Sequence, residues 1–140
     1  MTITVEVEIS NREIASFGEL IRTAFSLAME FGRKLVVGAL ERKDQELAET
    51  RDKKRYRSKG KRMTSIKTKL GVIEYQRTVY VDNAVPEGGS CVYLLDDALE
   101  IEKVGLVSED VCQAAARAVC ETTYRGAAKL IFRESCYDGH

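Results

Sequence analysis

The chain has 140 residues, 44% of them hydrophobic, which is enough for one modest domain or two small lobes with a packed core and argues against wholesale disorder. Its four cysteines form no C-x-x-C pair and His140 is the single histidine, so neither a zinc site nor any other metal or cofactor site is expected. No stretch reaches the ~18 apolar residues that span a bilayer, and the N-terminus lacks a secretory pattern, so a cytoplasmic protein with no membrane partner is expected, its cysteines acting as small hydrophobes.

Formal net charge is zero, but the charge is segregated. Residues 51–69 hold ten Lys/Arg and one Asp, a local +9, between flanks of −3 over residues 1–50 and −6 over residues 70–140. A neutral average built in this way points to a localised contact with a polyanion.

Along the chain, residues 2–9 alternate apolar and polar, as a short strand or a loose arm would. Ser10 or Asn11 then offers an N-cap, and Ile14, Phe17, Ile21, Phe25, Ala28 and Phe31 recur at helical steps. This predicts one long helix from about 11 to 52, or two helices meeting near Gly32. A helix of such length asks for a partner helix or a second subunit. Residues 51–62 contain no aliphatic side chain and read as a helix end followed by a basic loop. Thr64–Leu70 and Val72–Val81 read as a hairpin turning at Gly71, and Cys91–Leu95 as a third strand. Ser108 caps a further helix whose apolar face is Val111, Ala114, Ala115, Ala118 and Val119; a second runs from Tyr124 to Phe132. The fold class is therefore α+β: a long N-terminal helix or two, a basic loop, a small antiparallel β element of two to three strands, and a C-terminal helical pair like an incomplete helix-turn-helix. The segments divide as 1–56, 57–95 and 96–140.

The basic block is the strongest chemical signal. Arg51, Lys53, Lys54, Arg55, Arg57, Lys59, Lys61 and Arg62, joined by Lys67, Lys69 and Arg77 from the hairpin, are the candidate DNA-binding residues. Asp96 and Asp97, followed by Glu100 and Glu102, read as a helix start or surface acidic patch rather than as catalytic carboxylates. No nucleophile motif, phosphate loop or metal-ligand cluster is found, so the chain itself is not expected to be an enzyme.

Thr68-Lys69-Leu70-Gly71-Val72-Ile73-Glu74-Tyr75-Gln76-Arg77-Thr78-Val79-Tyr80 resembles the "T-x-x-G-x-[VI]-x-[FY]-x-R-x-x-[YF]" hairpin of the ISLre-type insertion-sequence transposases, a group also catalogued as an uncharacterised protein family. Phe17–Phe31 is similar to the N-terminal helix of that family. Val92-Tyr93-Leu94-Leu95-Asp96-Asp97-Ala98-Leu99 with Ile101 is similar to its "Y-L-L-D-E-A-L-G-I" element, and Tyr124–Ile131 to its "S-Y-R-E-A-A-E-L-L" helix. The resemblance implies a DNA-binding N-terminal portion of a transposase, with transposon ends as partner. It implies catalysis by a carboxylate triad in a separate RNase H-like domain, so no catalytic residue carries over to this chain. The expected helix-turn-helix does not continue past Cys136. The rival expectation is a non-catalytic remnant or regulator acting through self-association, as a homodimer joined by the long helix.

Overall fold

The structure, a computed structural model, describes residues 1–8, 15–86, 89–101, 103–104, 107–121 and 126. Its elements are α1 (Phe17–Thr50), β1 (Tyr56–Thr68), β2 (Gly71–Asp82), β3 (Cys91–Val92), α2 (Leu94–Ala98), β4 (Lys103–Val104), β5 (Val107–Ser108) and α3 (Glu109–Glu121). The architecture is α+β, with one long helix, a curled sheet and short helices after it. No described helix is long and apolar enough to cross a membrane. The helix expected over Tyr124–Phe132 lies, Gly126 apart, outside the described residues, as does Cys136.

α1 is a single helix of 34 residues. It starts later than the sequence suggested. Its N-cap is Ser16, whose hydroxyl accepts the Glu19 N–H at 3.2 Å, while the Glu19 carboxylate accepts the Ala15 N–H at 2.8 Å. This reciprocal Ser-x-x-Glu arrangement closely follows a capping box and was present in the sequence, two residues after Ile14, the start of the apolar periodicity that drew the expected start upstream. Gly32 does not break the helix. A Cβ there would stand 3.2 Å from a Leu70 methyl, so the glycine is a notch that lets the hairpin turn approach. At the C-terminus Arg51 acts in place of a glycine cap. Its N–H donates to the Leu47 carbonyl at 3.0 Å, and its guanidinium donates to the carbonyls of Ala48 and Tyr56.

The sheet order is β3-β2-β1-β5-β4. β1 and β2 form a long antiparallel hairpin, with Ile66 opposite Ile73 and Thr68 opposite Gly71. Gly71, at φ +107°, takes the turn. β5 joins β1 in parallel at Lys67, which makes the sheet mixed rather than antiparallel as expected. β4 and β5 are two residues each, too short for any period-two signal. The expected third strand ends at Val92, and Leu94 begins α2.

The larger correction concerns the basic segment. Residues 57–62 are not a loop but the first half of β1. The period-two pattern is missing there because Arg57 to Met63 are all exposed, leaving no buried face to write an alternation into the sequence. Pairing with β2, whose apolar pattern is strong, holds this half in the sheet.

Ile66, Ile73, Tyr75 and Leu95 form the buried cluster, with Val36, Val37, Leu40 and Leu47 of α1 and Ile101 packed on it. Each buried aliphatic side chain contributes roughly 2 kcal/mol. The segment Thr78–Asp82 is buried at every position, so both faces of β2 are covered there. On one side α1 reaches the strand through Asp44, which takes the Thr78 N–H and hydroxyl.

Candidate nucleic-acid interface

Eleven cations were singled out from the sequence, and the structure sorts all but Lys67 into two sets. Arg51, Arg55 and Arg77 are committed to the fold. Arg51 caps α1 and lies 5.2 Å over the Tyr80 ring. Arg55 forms a fork with the Asp82 carboxylate at 3.0–3.3 Å and covers the Tyr56 ring at 4.9 Å. That hydrogen bond strengthens the hold of Arg55 on its proton, and together with the Ala84 N–H it lowers the Asp82 pKa below the ordinary carboxylate value. Arg77 pairs with Asp96 in the first turn of α2 and stacks 3.6 Å over the Tyr93 ring. Sequence reasoning missed the pairing of Arg55 with Asp82 and of Arg77 with Asp96, because each aspartate lies far along the chain on another element. The adjacent pair Asp96–Asp97 is a helix start, as read from the sequence.

Seven cations remain that form no ion pair among the described residues: Lys53, Lys54, Arg57, Lys59, Lys61, Arg62 and Lys69. All seven are exposed. Lys53 and Lys54 ride the tight turn from α1 to β1, where the Asp52 side chain accepts the N–H groups of Lys54 and Arg55. Arg57, Lys59, Lys61 and Arg62 stand on β1. Lys69 is at the hairpin turn, where its N–H donates to Asp110 at the start of α3. Lys67 is exposed on β1 beside β5 and makes interactions of its own.

The register of β1 decides where its cations point. Ser58 lies opposite Tyr80 but Lys61 opposite Thr78, so β1 carries one extra residue, and Gly60 at φ +102° absorbs it. Residues directly opposite share a face. Arg57 opposite Val81 and Arg62 opposite Arg77 therefore share one face, while Lys61 opposite Thr78 takes the other. An unbulged strand would place Arg57 and Lys61 together. The bulge instead sets Arg62 on the face of Arg57 and turns Lys61 to the opposite one. β5 pairs with β1 only at Lys67, so the outer edge of this half-strand is open among the described residues. From Arg57 to Arg62 the strand spans about 16 Å, the length over which one DNA strand carries about five phosphates.

Among the described residues no three His, Cys, Asp or Glu side chains gather to hold a metal ion. The free cysteines Cys91 and Cys120 are exposed, and Cys112 is half-buried.

A family profile described as "Uncharacterised protein family (UPF0236)" matches residues 11–139. A curated UPF0236 protein of Caldanaerobacter subterraneus subsp. tengcongensis is 30% identical over 115 residues, 79% of this chain and 24% of that protein. The chain thus spans about a quarter of the length of the curated relative it matches. No solved structure matches it.

Proposed function

The chain belongs to the uncharacterised protein family UPF0236, and on that premise we propose that it is a DNA-binding segment of a transposase. It grips phosphates through the first half of β1 and the turn before it. The observation that carries this reading is the sorting of the cations. Three arginines are taken up by aspartates and carbonyls of the fold, while seven lysines and arginines remain exposed and without ion pairs among the described residues. The resemblance of Thr68–Tyr80 to the hairpin of ISLre-type transposases supplies the transposon end as the partner. On this reading the segment positions DNA without cutting it, since backbone contacts fix register and carry no sequence information of their own. Strand cleavage belongs to other parts of the longer proteins. The test is duplex binding followed by fluorescence anisotropy. Binding at low salt that is lost in the Arg57→Gln/Lys59→Gln/Lys61→Gln/Arg62→Gln variant supports the reading. Equal binding by the two proteins overturns it.

A further inference from the structure

α1 shows two opposed faces, and only one belongs to the fold. Val36, Val37, Leu40 and Leu47 pack on the hairpin core, and Asp44 on the same side holds β2. Phe17, Ile21, Ala24, Ala28, Phe31 and Leu35 follow one another at steps of four and three residues, and helical geometry sets this stripe on the opposite side. All six are exposed, Phe17 at 77% and Ile21 at 54%. Phe25 and Leu20, beside the stripe, are exposed as well. Beyond Leu35 the stripe continues through Gly38, Arg42 and Gln45. There the arm at residues 1–8 lies on it: Ile3 fits the Gly38 notch, and Met1 lines one groove with Arg42 and Gln45. Toward the N-terminus, none of the described residues covers the stripe in this way.

We propose that this stripe is the seam of an antiparallel homodimer in which α1 pairs with α1 of a second copy. The size pattern is palindromic about Ser26. A two-fold axis there sets Phe17 opposite Leu35, Ile21 opposite Phe31, and Ala24 opposite Ala28 of the partner copy. Large side chains meet large ones at the ends, and alanines meet at the crossing, where they let the helices approach closely. Such self-complementarity is what a two-fold interface requires. Charge selects the direction. A parallel pair would bring two copies of the 51–69 block, each carrying +9, to the same end of the dimer. The antiparallel pair sets the two Asp44 positions about 50 Å apart along the helix axis, far beyond a screening length of about 8 Å. The dimer then presents two cationic strands at opposite ends. This proposal stands apart from the DNA reading, since it rests on the stripe and on repulsion between the two basic blocks, neither of which requires DNA contact.

The test is the solution mass of the intact chain, by sedimentation or by light scattering after size exclusion. The expected result is twice the mass of one chain. Ala28→Glu should halve it while far-ultraviolet circular dichroism keeps the helix signal; if that variant unfolds, Ile21→Glu makes the same test. The Ala24→Lys/Ala28→Glu double variant should regain the doubled mass, because antiparallel pairing sets each new ammonium against a new carboxylate and parallel pairing sets like against like. A wild-type monomer at every concentration overturns the proposal. So does a folded Ala28→Glu dimer, or a double variant that stays monomeric.

Discussion

Asp44 and Thr78 are joined twice, the Asp44 carboxylate accepting the Thr78 backbone N–H at 3.0 Å and its hydroxyl at 2.7 Å, with both residues buried. β3 pairs with β2 only at Tyr80 and Val81, so the Thr78 N–H would otherwise be an open edge donor. A helix carboxylate thus completes the edge of the sheet and fixes where α1 crosses the hairpin. Removing it by Asp44→Ala orphans two buried donors and should cost about 3 kcal/mol. Thr78→Val should cost about 2 kcal/mol, and the double variant less than the sum. Urea unfolding of the four proteins measures the coupling. Strict additivity would show that the pair does not hold the two elements together.

Arg62 and Arg77 lie directly opposite one another on the hairpin yet are predicted to act differently. Arg77 is 14% exposed and paired with Asp96, so Arg77→Leu leaves a carboxylate without its partner and should cost about 2 kcal/mol. Arg62 is exposed, and Arg62→Gln should change stability by no more than about 0.5 kcal/mol while weakening DNA binding. Thermal melts and anisotropy titrations of both variants check the contrast. The same loss of DNA affinity in both, with equal stability, would contradict it.

Much of this was legible in the sequence, and the failures have physical causes. The hairpin around Gly71 was readable because Ile73 and Tyr75 face a core and write a period of two. The basic half of β1 was not, since an edge strand exposed on both faces has no apolar face to reveal its register. The late start of α1 turned on Ser16 and Glu19, a signal present but outranked by the apolar period upstream. Which cations are free could not be read at all. Arg55 and Arg57 look equivalent in the sequence, and only the fold brings Asp82 to one of them.

The pH dependence of stability should carry the mark of Asp82. Its pKa is lowered in the folded chain, first by the Arg55 hydrogen bond and then by the Ala84 N–H. A depressed carboxylate contributes stability that is fully present above its ordinary value, near 3.8, and is lost as pH falls through the lower folded value. Asp82→Asn should therefore flatten the loss of stability below about pH 4. Unfolding midpoints of the two proteins across that range test this. Identical slopes would mean that the Arg55–Asp82 fork has no thermodynamic weight.

Two glycines should differ in kind. Gly60 has a left-handed φ and nothing within 4 Å of an added Cβ, so Gly60→Ala meets backbone strain alone, about 1–2 kcal/mol. Gly71 is also left-handed, and a Cβ there would stand 3.1 Å from the Arg33 guanidinium, which donates to the Leu70 carbonyl at 2.7 Å. Gly71→Ala should therefore destabilise more than Gly60→Ala. The Gly60 variant should instead show its larger effect in DNA binding, because straightening the bulge moves Lys61 to the other face. Parallel melts and binding titrations check the order.

The central claim is that the free cations of β1 and its preceding turn hold DNA phosphates, and the salt dependence of duplex affinity tests it most directly. Engagement of four to seven of these cations predicts a slope of log affinity against log salt of about −4 to −6. In the Arg57→Gln/Lys59→Gln/Lys61→Gln/Arg62→Gln variant the slope should shrink by about 3 to 4. A slope near zero in the wild-type chain, or the same slope in the variant, would contradict the account.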